Sequence, residues 1–99
     1  NLKRRRKKAI NGGVIPAVTL LCNLENYTEE MARMATQVIM NSTIDQAGKA
    51  AAVECEGCVE KLCKISCDKS LIHTLRSNAV NAVRNIIENE KGLHQCTST

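Results

Sequence analysis

Four of the six cysteines fall within thirteen residues: Cys55, Cys58, Cys63 and Cys67. Cys22 and Cys96 lie roughly thirty residues away on either side. An even cysteine count in a chain of fewer than about 100 residues reads as a disulfide framework in an oxidising setting. If all six pair, Cys22 and Cys96 each reach into the cluster, and the two cysteines left there pair with each other. Six cysteines allow about fifteen connectivities, and spacing does not choose among them. On a helix, Cys63 and Cys67 stand one turn apart with nearly parallel side chains, poor geometry for a mutual bond. Each is expected to bond to another segment.

Two other readings of the cluster are weaker. C-x2-C followed by C-x3-C supplies four soft zinc ligands. Only four residues separate the two pairs, however, where zinc modules place about a dozen or more. We therefore expect no metal and no cofactor. A redox reading of Cys55-Glu56-Gly57-Cys58 wants a thioredoxin-like βαβ setting, and no segment shows sustained strand alternation.

A length of 99 residues suits one domain. Its core must be aliphatic, because Tyr27 is the sole aromatic residue. Aromatic side chains usually bury about 150–250 Å² each. Without them, close helix packing is favoured, and disulfides gain importance at roughly 2–4 kcal/mol each.

The net charge of +4 is unevenly spread. Lys3, Arg4, Arg5, Arg6, Lys7 and Lys8 form a basic run. The remaining eight Lys/Arg face ten Asp/Glu, a balance of −2. The body is therefore mildly acidic, which argues against a basic face on the globule and against nucleic acid as a partner. Asn11-Gly12-Gly13 breaks arm from body. This predicts a flexible basic arm over 1–13 and a single helical domain over 14–99.

Residues 1–24 have the layout of a targeting segment: a basic run, then the apolar Val14–Leu21. Cleavage next to Cys22 would leave five cysteines and lacks small flanking residues. We expect Cys22 to stay and the apolar run to be a core helix. The dibasic bonds of the arm suit a trypsin-like processing protease. The first residue is Asn, which leads us to expect a processed product or a piece of a longer precursor. No stretch approaches the ~20 apolar residues of a membrane span.

Asn26-Tyr27-Thr28 and Asn41-Ser42-Thr43 match the N-glycosylation pattern, so Asn26 and Asn41 are candidate glycan sites. With the even cysteine count they place the chain in a secreted, lumenal or extracellular setting.

Helical periodicity runs through the body. Val18, Leu21 and Cys22 share one face, with Pro16 tolerated in the first turn. Thr28 is a good N-cap, with Glu29 and Glu30 in the first turn. Met31, Met34, Ala35 and Val38 then form a stripe that predicts a buried face; Met-rich faces can also be adaptable binding surfaces. Ser42 with Asp45 resembles a capping box. Ile44, Ala47, Ala51 and Cys55 are expected to line one side of a third helix. Gly57 interrupts, and Cys58, Val59 and Leu62 continue. Asp68 or Ser70 is the expected cap of a final helix of about twenty residues, buried through Ile72, Leu75, Ala79, Ala82, Val83 and Ile86 and stopped at Gly92. The fold class is all-α, a small four- or five-helix domain stapled by disulfides.

No catalytic constellation emerges. His73 and His94 are the two histidines, and His73 reads as a surface or boundary residue. Glu54, Glu56 and Glu60 read as a solvated face. The expected function is binding without catalysis: a secreted effector, toxin-like or signalling polypeptide acting on a cell-surface receptor or partner protein. Anionic membrane contact through residues 1–24, an intracellular zinc-binding regulator with the arm as nuclear signal, and a lumenal segment of a viral-type glycoprotein precursor are the alternatives.

Overall fold

Local signals set the helix starts. The structure is a computed structural model that describes residues 13–88. Within that range the chain forms five helices and no strand: α1 (Val14–Leu20), α2 (Glu29–Ser42), α3 (Gln46–Glu54), α4 (Cys58–Cys67) and α5 (His73–Ile87). Gly13, at a φ of 80°, opens α1. Thr28 caps α2 as expected, its hydroxyl accepting the Met31 N–H at 3.2 Å. Gly57 separates α3 from α4 at φ 82°, ψ −7°, the geometry of the third position of a type II turn. The Cys58 N–H closes that turn on the Cys55 carbonyl at 3.1 Å.

Two expected caps do not form. Ser42 is still helical and buried at the end of α2, so it cannot form a capping box with Asp45, the residue before α3. Asp68 turns on itself, its Oδ1 accepting the Ser70 N–H at 3.0 Å and the Ser70 hydroxyl at 2.6 Å. These bonds hold the Asp68 carboxyl below its usual range. The start of α5 is capped from a distance instead. Glu29 of α2 accepts the Ile72 N–H at 2.9 Å.

That bond belongs to a longer seam. Asn78 donates to the Arg33 carbonyl at 3.1 Å, and Asn85 to the Met40 carbonyl at 3.0 Å and the Thr43 hydroxyl at 3.2 Å. Donors and carbonyl acceptors both advance by seven residues, so α2 and α5 run parallel, side by side. Parallel neighbours need a long crossover, and α3 and α4 supply it. A helix carbonyl has a second lone pair, so these amides add bonds without breaking the helical ladder.

The core is aliphatic, as the composition requires. Ile15, Ile39, Leu62, Leu75 and Ile86 are fully buried among Ala32, Ala35, Ala52, Ala79 and Ala82. The small side chains on α2 and α5 let those helices approach closely. Leu75, Ala79, Ala82 and Ile86 match the predicted stripe; Val83 is half-buried and Ile72, ahead of the helix, is exposed. Helix α5 has fifteen residues rather than twenty, and Gly92 lies outside the described residues.

Two predicted faces are rotated. The buried side of α2 is Ala32, Ala35, Thr36, Ile39 and Ser42, while Met31, Met34 and Val38 are exposed. The buried side of α3 is Gly48, Lys49, Ala52 and Val53, with Ile44 and Ala47 exposed. Gly48 explains the second rotation: without a side chain it seats α3 on the backbone of Ser42 and Thr43. Lys49, buried along its stem, brings its ammonium to the exposed Glu88 carboxylate at 2.5 Å, tying α3 to the end of α5.

Candidate functional site

Two of the six cysteines meet at one hydroxyl, and a third lies close by. Thr19, buried near the end of α1, donates to the Ile15 carbonyl at 2.7 Å. Its oxygen accepts from Cys55 Sγ at 3.8 Å, and the Cys58 thiol lies beside it. One turn on, the Cys22 thiol reaches the Val18 carbonyl at 3.6 Å. Cys22 and Cys58 are buried, and burial pushes both thiols up to about 11. Each also feels a neighbouring thiol, Cys22 that of Cys58 and Cys58 that of Cys55, with Lys61 opposing. Thiols held protonated in this way are poor nucleophiles and poor metal ligands.

The disulfide staple expected of Cys22, Cys55, Cys58, Cys63, Cys67 and Cys96 is therefore not what holds the described fold. Cys22, Cys55, Cys58 and Cys67 are free thiols. Cys22 and Cys58 fill core space as small apolar side chains instead. Cys63 is half-buried and Cys67 exposed on α4, one turn apart as the spacing implied. Cys96 lies outside the described residues. Among the described residues, no group of three or more His, Cys, Asp or Glu side chains is arranged to hold a metal ion.

A second feature lies on α2. Met31, Met34 and Val38, at 39%, 57% and 37% exposure, stand at i, i+3 and i+7 and form one line along the helix, flanking the buried face. Beside them, Arg33 donates to both carboxylate oxygens of Glu30, at 2.6–3.2 Å. That pairing lowers the Glu30 carboxyl and raises the Arg33 guanidinium, so the flank carries no unbalanced charge. At about 100° per residue, Asn41 continues the same line.

Both candidate glycan acceptors, Asn26 and Asn41, are exposed. Glu54, Glu56 and Glu60 are exposed too, and Glu60 pairs with Lys64 at 3.2 Å. His73 opens α5 on the surface. The arm residues Lys3, Arg4, Arg5, Arg6, Lys7 and Lys8, and His94, lie outside the described residues. Among the described residues, no helix is long and apolar enough to cross a membrane.

Sequence reasoning missed Thr19, Asn78 and Asn85. The asparagines left a signal in their seven-residue spacing beside the Leu75–Ile86 stripe. Thr19 left none, since nothing local says that a hydroxyl one turn before Cys22 meets thiols from the α3–α4 turn. No protein-family model, no curated protein and no solved structure matches this chain.

Proposed function

We propose that this chain is a small exported, non-catalytic helical protein that acts by binding a protein partner, seating an apolar helix of that partner along α2. The observation that carries this reading is the exposed line of Met31, Met34 and Val38. A straight, one-residue-wide apolar ridge suits the groove of a second helix better than a flat sheet edge. Methionine side chains adapt to varied surfaces. Fully covering one such side chain is worth roughly 1.5–3 kcal/mol.

The test is site-specific photo-crosslinking. A crosslinker placed at Met34 in the full chain, incubated with fluid and membranes of the producing source, gives a discrete adduct. Val38→Glu abolishes it, and a crosslinker at Glu54 gives none. Equal labelling from positions 34 and 54, or an adduct insensitive to Val38→Glu, rules the ridge out as the docking line.

Export is supported by the exposed Asn26 and Asn41 and by the turn at Cys55–Cys58. The ends of such a turn lie within about 7 Å, and a disulfide spans Cα separations of about 4.4–6.8 Å. Both sulfurs already face Thr19. In an oxidising compartment we propose that Cys55 and Cys58 pair across this turn and that Cys22, Cys63, Cys67 and Cys96 form two further bonds. Intact mass of the native product is expected to rise by about six units on reduction, two per bond. No rise, together with absent hexose masses, argues for a reducing compartment.

A further inference from the structure

The outer face of α5 carries a charge asymmetry that the composition hides. His73, Arg76, Ser77, Asn81 and Arg84 recur at helical spacing on the side away from the buried Leu75, Ala79, Ala82 and Ile86. With Val80, and with Ser66 of α4, they line a groove of about 280 Å³. Among the described residues, no carboxylate lines it. The Arg76 charge acts on Asp68, whose Oδ1 is engaged by the Ser70 hydroxyl and N–H. Ser66 is also engaged, its hydroxyl donating to the Cys63 carbonyl at 2.8 Å.

One polar atom of Arg76 is left over. The Nε of Arg76 is buried and has no hydrogen-bond partner among the described residues. Buried polar groups are nearly always paired, and a guanidinium N–H left without an acceptor calls for a ligand or a water. Nε and the adjacent terminal nitrogen of an arginine form a fork that matches two oxygens of one oxyanion. Ser77 and Asn81, beside it on the same helix, add a hydroxyl and an amide donor. Arg84 lies about 12 Å farther along the axis and adds positive field to the same groove.

We propose that this groove binds a tetrahedral oxyanion, the phosphate or sulfate group of a small monoester, with the Arg76 fork as its principal contact. The groove is short, and no aromatic residue lines it to stack a base. Both features favour a single esterified group over a nucleic acid strand.

Inorganic phosphate and sulfate are the first probes, titrated into the full ¹⁵N-labelled chain while the arginine Nε–H resonances are followed. The Arg76 resonance is expected to shift saturably, with a Kd on the order of 1 mM, and chloride at matched ionic strength to leave it in place. Arg76→Lys keeps the charge but loses the fork, and weakens binding by roughly tenfold or more, the worth of a hydrogen bond to a charged group. Its amide spectrum reports whether the fold is retained. Ser77→Ala with Arg84→Gln provides an independent variant with the same direction of effect. A Kd above about 50 mM, a chloride-induced shift of equal size, or undiminished affinity in folded Arg76→Lys overturns the proposal. Phosphoserine, a sulfated monosaccharide and phosphoinositide-containing vesicles form the last arm. Preference for the vesicles assigns a lipid headgroup, and preference for either soluble ester assigns a free ligand.

Discussion

Replacing Gly48 with alanine lowers the melting temperature by more than about 10 °C. In an ordinary helix interior the same change is stabilising, by roughly 0.5–1 kcal/mol. Here the sign reverses. Gly48 is buried in α3, and a methyl group there overlaps the carbonyl of Ser42 and comes within 3.2 Å of the Thr43 backbone nitrogen. Neither atom can yield. Both belong to the end of α2, where the Thr43 N–H bonds the Ile39 carbonyl at 3.0 Å and the Thr43 hydroxyl bonds the same oxygen at 2.8 Å. Relief therefore requires α3 to lift from α2, which strains the Lys49–Glu88 link and the packing of Ala52 and Val53. Overpacking a tight core costs about 1–3 kcal/mol and sometimes more, and this overlap with backbone belongs at the upper end. Thermal unfolding followed by circular dichroism measures it. Gly57→Ala is the control, since it meets open space and carries only the penalty of its left-handed backbone. A Gly48→Ala protein as stable as the parent shows that α2 and α3 do not approach this closely.

Alkaline pH unfolds the reduced protein through its buried thiols. Cys22 and Cys58 have an ordinary value of 9.0 when exposed and about 11 in the fold. Below pH 9 both states hold these protons, and the contribution of thiol burial is fully present. Above it, the unfolded chain releases them while the folded chain retains them, so the unfolded state gains. Stability falls as pH rises from 9 towards 11. Each tenfold difference in proton affinity between the two states is worth about 1.4 kcal/mol. Together the two sites remove a few kcal/mol, a large share of a small domain's stability. Urea unfolding at pH 7.5, 9 and 10.5 under reducing conditions measures the slope. The comparison is with the Cys22→Ala/Cys58→Ala double variant, in which every other group is unchanged. That variant is less stable at neutral pH but has a shallower alkaline slope. Identical slopes in the two proteins place the thiols in solvent.

The same two side chains show how far local pattern reaches. Spacing alone assigns Cys22, Cys58, Val59 and Leu62 to apolar faces, and all four are buried. Spacing does not say whether the sulfurs meet one another or simply fill space. That depends on where the α3–α4 turn lands relative to Thr19. The α2 ridge teaches the converse. The periodicity of Met31, Met34 and Val38 does mark one face, yet that face points outward. A methionine stripe and an alanine-rich stripe lie side by side on this helix. Close approach to α5 selects the smaller side chains, because Asn78 and Asn85 must come within hydrogen-bond reach of the α2 backbone.

Local pattern is enough for the all-helical class, the start of α2 at Thr28, the break at Gly57, the aliphatic core and most of the buried stripe of α5. These follow from interactions within a few residues: dihedral preference, capping and periodic hydrophobicity. Other features arise only when the helices assemble. They are the inward faces of α2 and α3, the capping of α5 by Glu29 in place of Asp68, the meeting of the Cys55 and Cys58 thiols at Thr19, and the groove that Arg76 and Arg84 share without a carboxylate. Each of these joins residues from segments distant in the chain or depends on how closely the helices approach. The energy that selects among such arrangements is packing and desolvation, which no local pattern encodes.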